Sequence, residues 1–292
     1  MPLPVSSQLL SRQARVRQHL EASNLDAFVV TSATNIRYLS NHVGSSGTLV
    51  LTRDRAYLLI DSRYREAVSM RQRTDSACPE LLIRDVPDSY DGALFGCLRE
   101  IGATAVGFEA AHVSVATHAS WRRTAERDGF SCEFHVTDRV VEAVRLIKDS
   151  TEVASLRDAA ARLTPVAAAA FEAVRAGERE RTVAAAIEAA LRGAGFERPA
   201  FDTIVASGPH AALPHHRAGD RVLIGGDLVV LDFGGVLDGY CSDLSRTVSI
   251  GSASPEARRL YDAVYDAQHA AMQAVCAGTV STSVDAAARG AF

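Results

Sequence analysis

The sequence predicts two domains, an α/β domain over residues 1–145 and an incomplete α+β domain over residues 146–292. The chain has 292 residues, more than the roughly 100–200 residues of a usual single domain. Up to residue 145, short apolar runs alternate with helical patterns, which is typical of an α/β fold with a partly parallel sheet. Beyond that point, two long Ala-rich helices precede a series of strand-like runs, as in an α+β fold.

The first domain opens with a helix predicted from about Ser7 to Ala22. An apolar strand at residues 26–30 follows, and a hairpin-like meander then contains β-rich runs at Thr48–Leu51 and Arg55–Ile60. Three further helices are predicted: Asp61–Arg73 with Asp61 as its N-cap, Tyr90–Ile101 and Val113–Arg127.

The second domain is predicted to start with helices at about residues 150–176 and 178–194. Four strand-like runs come next: Phe201–Ser207, Arg221–Ile224, Asp227–Gly234 and Asp238–Ile250. A helix from about Ser254 to Ala277 follows them. A last short helix opens at Ser281, and a helix that short needs another surface to pack on.

Composition and charge exclude several classes of protein. The net charge is −4 and no Lys/Arg cluster stands out, which argues against nucleic acid as a partner. Neither a signal peptide nor an apolar run of about 20 residues is present, so the sequence predicts a cytoplasmic protein that does not enter membranes. The five cysteines are widely spaced without a CxxC pair, which argues against disulfides and thiolate zinc sites.

The densest chemical signal is the segment Leu228–Thr247, which contains two aspartates eleven residues apart. Asp232 follows four apolar residues, where a lone charged carboxylate is costly. Glycines after Asp232 can turn the chain back, so that Asp243 lies beside it on an antiparallel strand. Two carboxylates at that spacing repel, unless cations such as a pair of divalent metals compensate them and activate a water. Alternatively, Asp232 hydrogen-bonds the turn and Asp243 pairs with Arg246.

A second signal is the pair His215 and His216, which follows Pro214. Neighbours in an extended chain point to opposite sides, so at most one of the two histidines faces a site. Such a histidine could shuttle protons or hydrogen-bond a substrate carbonyl. A solvated loop histidine is the alternative.

These segments together resemble a known family. Leu231–Gly234 and Gly239–Thr247 resemble the DxG and GYxSDxTRT signature of the Xaa-Pro aminopeptidase and prolidase branch of the creatinase/methionine aminopeptidase superfamily, with Ser245 where Thr is usual. Phe201–His215 is similar to the strand and active-site histidine upstream of that signature. In the first domain, Asn35–Leu39 and Asp61–Tyr64 are similar to the creatinase-type N-terminal domain.

The resemblance implies an N-terminal creatinase-type domain and a C-terminally truncated pita-bread domain. It makes Asp232 and Asp243 metal ligands for two divalent ions, Mn²⁺ or alternatively Co²⁺ or Zn²⁺, with no other cofactor. His215 becomes a substrate-binding or proton-handling residue, and Arg246 and Thr247 hold the aspartates in place. The family's HxxGHxxG segment and two glutamates would follow downstream, and this sequence ends before them. We therefore expect little activity from this chain alone.

By resemblance, the function expected is a metal-dependent exopeptidase that cleaves Xaa-Pro dipeptides or peptides with proline in second position, and a homodimer is implied. Two other functions stay open. A creatinase-like amidinohydrolase uses the same fold, and some of these enzymes need no metal. A non-catalytic pita-bread module that binds proteins is the other alternative, which loss of the downstream ligands would suit.

Overall fold

The computed structural model describes residues 5–292. Residues 1–4, part of the segment predicted to lack a signal peptide, lie outside the described residues. The chain divides into two compact units, the first ending at Ala154 and the second beginning at Ser155. Across residues 5–292, none of the helices is both long and apolar enough to span a membrane.

A six-stranded mixed sheet forms the centre of the first unit. Its strands are β1 Ala27–Val30, β2 Thr48–Thr52, β3 Ala56–Ile60, β4 Leu81–Asp85, β5 Ala105–Glu109 and β6 Glu133–Thr137. They lie in the order β4-β3-β2-β1-β5-β6, with β1 and β3 antiparallel to β2. The pairs β3–β4, β1–β5 and β5–β6 are parallel, which confirms the predicted partly parallel α/β sheet.

Helices cover both faces of this sheet. They are α1 Ser6–Ala22, α2 Ala33–Ser40, α3 Ser62–Arg71, α4 Tyr90–Glu100, α5 Val115–Arg127 and α6 Val140–Leu146. Because side chains alternate along a strand, Phe28 packs with the core that includes Leu20 of α1, whereas Val29 packs with the core that includes Leu98 of α4. Asp61 is the N-cap of α3, as predicted, and accepts a hydrogen bond from the Arg63 amide at 3.1 Å.

The second unit combines helices with two small antiparallel sheets. Its helices are α7 Ser150–Ala173, which starts before the unit boundary, α8 Glu180–Gly193, α9 Pro255–Ala274 and α10 Ser281–Arg289, with a 3₁₀ turn at Gly208–Ala212. Its strands are β7 Arg198–Pro199, β8 Ile204–Ser207, β9 Leu228–Phe233, β10 Gly235–Leu237, β11 Tyr240–Cys241 and β12 Leu244–Ser249. The sheet orders are β12-β9-β8 and β11-β10-β7.

The sheet β12-β9-β8 separates an apolar face from a polar one. Leu231 and Val205 point into the core that α7 and α8 complete with residues such as Leu163 and Ile187. Asp232 alternates with Leu231 along β9, so its side chain lies on the opposite face. The fold therefore places this carboxylate on the sheet surface that α7 and α8 leave uncovered.

Two strand predictions in this unit were wrong. Residues Arg221–Ile224 form no strand; only Val222 makes an isolated bridge, to Arg179. A turn closes directly afterwards, because the Asp227 carboxylate accepts a hydrogen bond from the Ile224 amide. The run Asp238–Ile250 is divided, since Asp238 and Gly239 have φ of 52° and 80° and turn the chain between β10 and β11.

Candidate active site

Two neighbouring antiparallel strands bring Asp232 and Asp243 together. Strand β12 pairs with β9 so that Ser245 lies opposite Asp232 and Leu244 opposite Phe233. Asp243 comes directly before β12, at the same end of the pair as Asp232. Gly234 permits the close return of the chain, because a Cβ at this position would overlap the carbonyl oxygen of Ser242. The backbone of this turn therefore fixes the spacing of the two carboxyl groups.

The two carboxyl groups are within hydrogen-bonding contact of each other. Partial burial, the negative charge of Asp232 and a hydrogen bond with Asp232 raise the pKa of Asp243 above its ordinary value. The Ser245 hydroxyl donates a hydrogen bond of 2.7 Å to Asp232 Oδ1. No cationic side chain among the described residues forms an ion pair with either aspartate. When both groups are ionised, the pair therefore carries like charges whose repulsion no cationic side chain of residues 5–292 compensates.

This arrangement fits a divalent metal ion. Carboxylate oxygens are the donors that hard divalent cations prefer, and a cation between the two groups would relieve the repulsion that raises the Asp243 pKa. Within residues 5–292, however, no third histidine, cysteine or acidic side chain joins the pair to make a group of three ligands. The described residues thus supply a two-carboxylate partial site.

The other residues proposed from the sequence make no described hydrogen bond with this pair. His215 is exposed, and its ring makes no hydrogen bond within the described part of the chain. Arg246 lies opposite Leu231 in the ladder, and its guanidinium donates to the Ser245 carbonyl oxygen at 2.7 Å. Thr247, opposite Val230, shares the sheet face of Asp232 but forms no described side-chain hydrogen bond with it. Ser245 is therefore the side chain that the structure brings to Asp232.

A second charged cluster lies at the N-terminus of α8, which sequence reasoning missed. The Glu180 side chain has no exposed surface. Its Oε1 accepts hydrogen bonds from the Ser207 amide at 2.9 Å, the Ser207 hydroxyl at 2.7 Å and His210 Nδ1 at 2.9 Å. Its Oε2 accepts from His216 Nε2 at 2.8 Å and from the Gly219 amide at 3.3 Å. One buried carboxylate thus receives hydrogen bonds from residues spread over thirteen positions of the chain, 207–219.

Hydrogen bonds determine the charge state of Glu180. Burial by itself raises the pKa of a carboxyl group, but the bonds from His216, Ser207 and His210 outweigh it and lower the Glu180 pKa to about 2. The two imidazole rings pack against each other with centroids 4.2 Å apart. Glu180, His210 and His216 also form a group with ligand-type atoms within 4.8 Å of one another.

The ion pair of Arg221 and Asp227 is connected to this cluster through Ser207. Arg221 donates to the Ser207 hydroxyl at 2.6 Å and forms a two-bond pair with Asp227, at 2.6 and 3.0 Å. Hydrogen bonds from Arg221 lower the pKa of Asp227. A Cβ at Gly208, whose φ is 52°, would lie 2.5 Å from both Arg221 and Asp227 atoms. Glycine is therefore needed where the chain leaves β8.

Comparison with known proteins gives two domain matches that cover most of the chain. Residues 12–147 match the creatinase/prolidase N-terminal domain, and residues 154–292 match metallopeptidase family M24. The uncharacterized peptidase YqhT of Bacillus subtilis is 33% identical over 271 residues, which is 91% of this chain and 72% of YqhT. The Xaa-Pro dipeptidase of Pyrococcus furiosus is 40% identical over 157 residues, 54% of this chain and 45% of that protein.

Solved structures resemble the whole chain. The Xaa-Pro dipeptidase from Bacillus anthracis superimposes with a TM-score of 0.89 and 28% identity, covering 97% of this chain and 77% of that one. The X-Pro aminopeptidase from Thermotoga maritima gives a TM-score of 0.82 and 30% identity, covering 94% and 76%. The chain therefore spans about three quarters of the structures that it resembles.

Proposed function

The chain belongs to metallopeptidase family M24, and from that membership we propose that it is a divalent-metal-dependent exopeptidase that cleaves Xaa-Pro peptide bonds. The observation that carries the proposal is the pairing of β9 with β12, which brings Asp232 and Asp243 to the same end of the two strands. Similar proteins named Xaa-Pro dipeptidase support the substrate class, which is a dipeptide or peptide with proline in second position.

In this proposal Asp232 and Asp243 hold divalent metal, two ions in a complete site, with Mn²⁺ as the first candidate and Co²⁺ or Zn²⁺ as alternatives. Bound divalent metal would polarise the scissile carbonyl and lower the pKa of water. Ser245 orients Asp232 through its 2.7 Å hydrogen bond, so that one oxygen of that carboxylate is fixed. Asp243 is exposed to solvent, and within residues 5–292 its carboxyl group forms no ion pair with a cationic side chain.

His215 has the role of a substrate-binding or proton-handling residue in this proposal. Its ring is exposed and forms no hydrogen bond within residues 5–292, so both ring nitrogens are available to a substrate carbonyl or a proton. Arg246 and Thr247 are proposed to support the strand β12 that positions Ser245 and Asp243. The homodimer and the cytoplasmic location that the sequence suggests stay predictions.

A peptidase assay on the purified chain tests the function. We expect Ala-Pro hydrolysis that needs added Mn²⁺, is faster than Ala-Ala hydrolysis, and is lost in Asp243→Asn. Turnover should be slow, because the described residues supply two carboxylates where two ions normally share several protein ligands. The matched control is Asp266→Asn, which removes an exposed carboxylate on α9.

Two results would contradict this function. Hydrolysis of creatine that needs no metal would favour the amidinohydrolase alternative. Absence of both peptide hydrolysis and metal binding by the aspartate pair would favour the non-catalytic module.

A further inference from the structure

The carboxylate of Glu180 connects both ends and the middle of the His215 loop, residues 207–219, to the start of α8. Four of its residues hydrogen-bond Glu180: Ser207 at its start, His210 and His216 on either side of His215, and Gly219 at its end. Between the two imidazoles, residues 212–215 are exposed, and Leu213 has 52% of its surface in solvent. The exposed part of the loop therefore has little packing of its own to define its conformation.

The hydrogen bonds to Glu180 also define which nitrogen of each flanking ring is the donor. An ionised carboxylate only accepts hydrogen bonds, so the proton of neutral His210 lies on Nδ1 and that of neutral His216 on Nε2. When both rings are neutral, they are therefore opposite tautomers that donate to the same carboxylate. Arg221 donates a hydrogen bond of 2.6 Å to the Ser207 hydroxyl and is itself paired with Asp227. These bonds restrain Ser207, which in turn donates to Glu180.

We infer that Glu180 is the positioning residue for His215: it holds the flanking His210 and His216 so that the exposed His215 ring is presented in one orientation. Glu180 does not touch substrate in this assignment, and it acts through the loop. The inference deepens the proposed function, on which the role of His215 rests. A loss of orientation at a reacting group lowers the rate even when the group is present.

Variants that keep or remove one hydrogen bond test the inference. Glu180→Gln places an amide donor against groups that all donate, and Glu178→Gln is the matched control, since Glu178 is exposed and two positions away. His216→Gln and His210→Asn keep a donor near the position of Nε2 or Nδ1. His216→Leu and His210→Leu remove it.

Hydrogen–deuterium exchange measures the loop without any need for catalysis. In Glu180→Gln, His216→Leu and His210→Leu, we expect amides in residues 208–218 to lose protection by about tenfold or more, equal to about 1.4 kcal/mol. In Glu178→Gln, His216→Gln and His210→Asn, protection should stay within about threefold of wild type. Unchanged protection of the loop in Glu180→Gln would overturn the inference.

Imidazole NMR and kinetics separate positioning from general stability. In wild type at a pH where the rings are neutral, nitrogen chemical shifts should show opposite tautomers for His210 and His216. In Glu180→Gln, measured at a low temperature at which the variant is folded, the single ring signal of His215 should split into several. In the peptidase assay, Glu180→Gln should lower kcat about tenfold with KM within about threefold, and should cause no further loss in a His215→Ala background.

These outcomes distinguish failure of the inference from failure of the proposed function. If wild type does not hydrolyse peptides, exchange and NMR still decide whether Glu180 orders His215. If His215→Ala leaves kcat unchanged, the proposed role of His215 is wrong, and this holds for any result of the exchange experiment on the loop. Tight Zn²⁺ binding that is lost in both His216→Gln and Glu180→Gln would overturn the inference, because the cluster would then be a metal site.

Discussion

The second unit contains two sites where acidic side chains meet other polar groups. The surroundings lower the pKa of the acidic group in one site and raise it in the other. Glu180 is fully buried and receives five hydrogen bonds, which lower its pKa to about 2. Asp243 is exposed, faces the like charge of Asp232, and has a raised pKa. Hydrogen bonds within the protein stabilise the first charge, whereas within residues 5–292 no cationic side chain forms an ion pair with the second. A buried charge with all its hydrogen bonds made stabilises local structure, whereas repelling charges at a surface are the feature on which the proposed metal site rests.

A substitution in the turn that brings the two aspartates together should have the largest effect on the free energy of unfolding. Gly234→Ala places a methyl group against the Ser242 backbone, so the turn between β9 and β12 must shift. We expect a destabilisation of about 3 kcal/mol in urea unfolding. Gly225→Ala is the control, because a Cβ there meets nothing within 4 Å. Equal stability of the two variants would show that the turn is not constrained as described.

Loss of the Glu180 charge should have the next largest effect on stability. Glu180→Gln replaces one of the two accepting oxygens with an NH2 group, so the donors to that oxygen lose their acceptor and the buried charge is removed. We therefore expect the free energy of unfolding to fall by about 2 kcal/mol. Urea unfolding of Glu180→Gln beside Glu178→Gln measures the difference. A cost no larger than that of the exposed control would contradict the description of Glu180 as a buried hub.

Acid should remove part of the same stabilisation. The folded-state pKa of Glu180 is lowered from 4.5 to about 2, so its contribution is complete above about pH 4.5 and is lost as pH falls towards 2. Nearby Arg221 stays charged throughout, and both histidines still donate when protonated. Thermal unfolding between pH 5 and pH 2 should show the gap between wild type and Glu180→Gln closing. A difference in Tm between wild type and Glu180→Gln that grows towards pH 2 would contradict a lowered pKa of Glu180.

The aspartate pair should give a small effect of opposite sign. Without metal, Asp232→Asn removes a like charge beside Asp243 and should stabilise the protein by about 0.5 kcal/mol or less, since solvent screens the exposed pair. Added Mn²⁺ should raise the Tm of wild type but not of Asp232→Asn. Differential scanning fluorimetry with and without Mn²⁺ compares them. A variant that is destabilised without metal would show that the two charges do not repel.

The sequence was sufficient for the aspartate pair because the signal is local. Glycines after Asp232 and the apolar run before it predict a returning strand, and the structure pairs β9 with β12 accordingly. The mixed sheet of the first unit was predictable for the same reason, since its strands and helices alternate along the chain. The domain boundary near residue 145, the metal-ligand roles of Asp232 and Asp243, and the site roles of His215, Arg246 and Thr247 stay predictions.

The Glu180 cluster could not be predicted because its contacts are distant in sequence. Glu180 lies 27 residues from Ser207 and 36 from His216, and no periodic pattern connects a helix start with a later loop. An acidic residue in a first helical turn is explained by the helix dipole alone. The strand predicted at Arg221–Ile224 was wrong because side-chain contacts decide the structure there. The Asp227 carboxylate pairs with Arg221 and accepts from the Ile224 amide, and the chain turns.

Metal binding to the isolated chain tests the central claim most directly, which is that Asp232 and Asp243 form a divalent-metal site. Titration calorimetry with Mn²⁺ should show binding in wild type and in Asp266→Asn, weakened by about tenfold or more in Asp243→Asn. Binding that Asp243→Asn leaves unchanged, or that Glu180→Gln abolishes instead, would contradict the account.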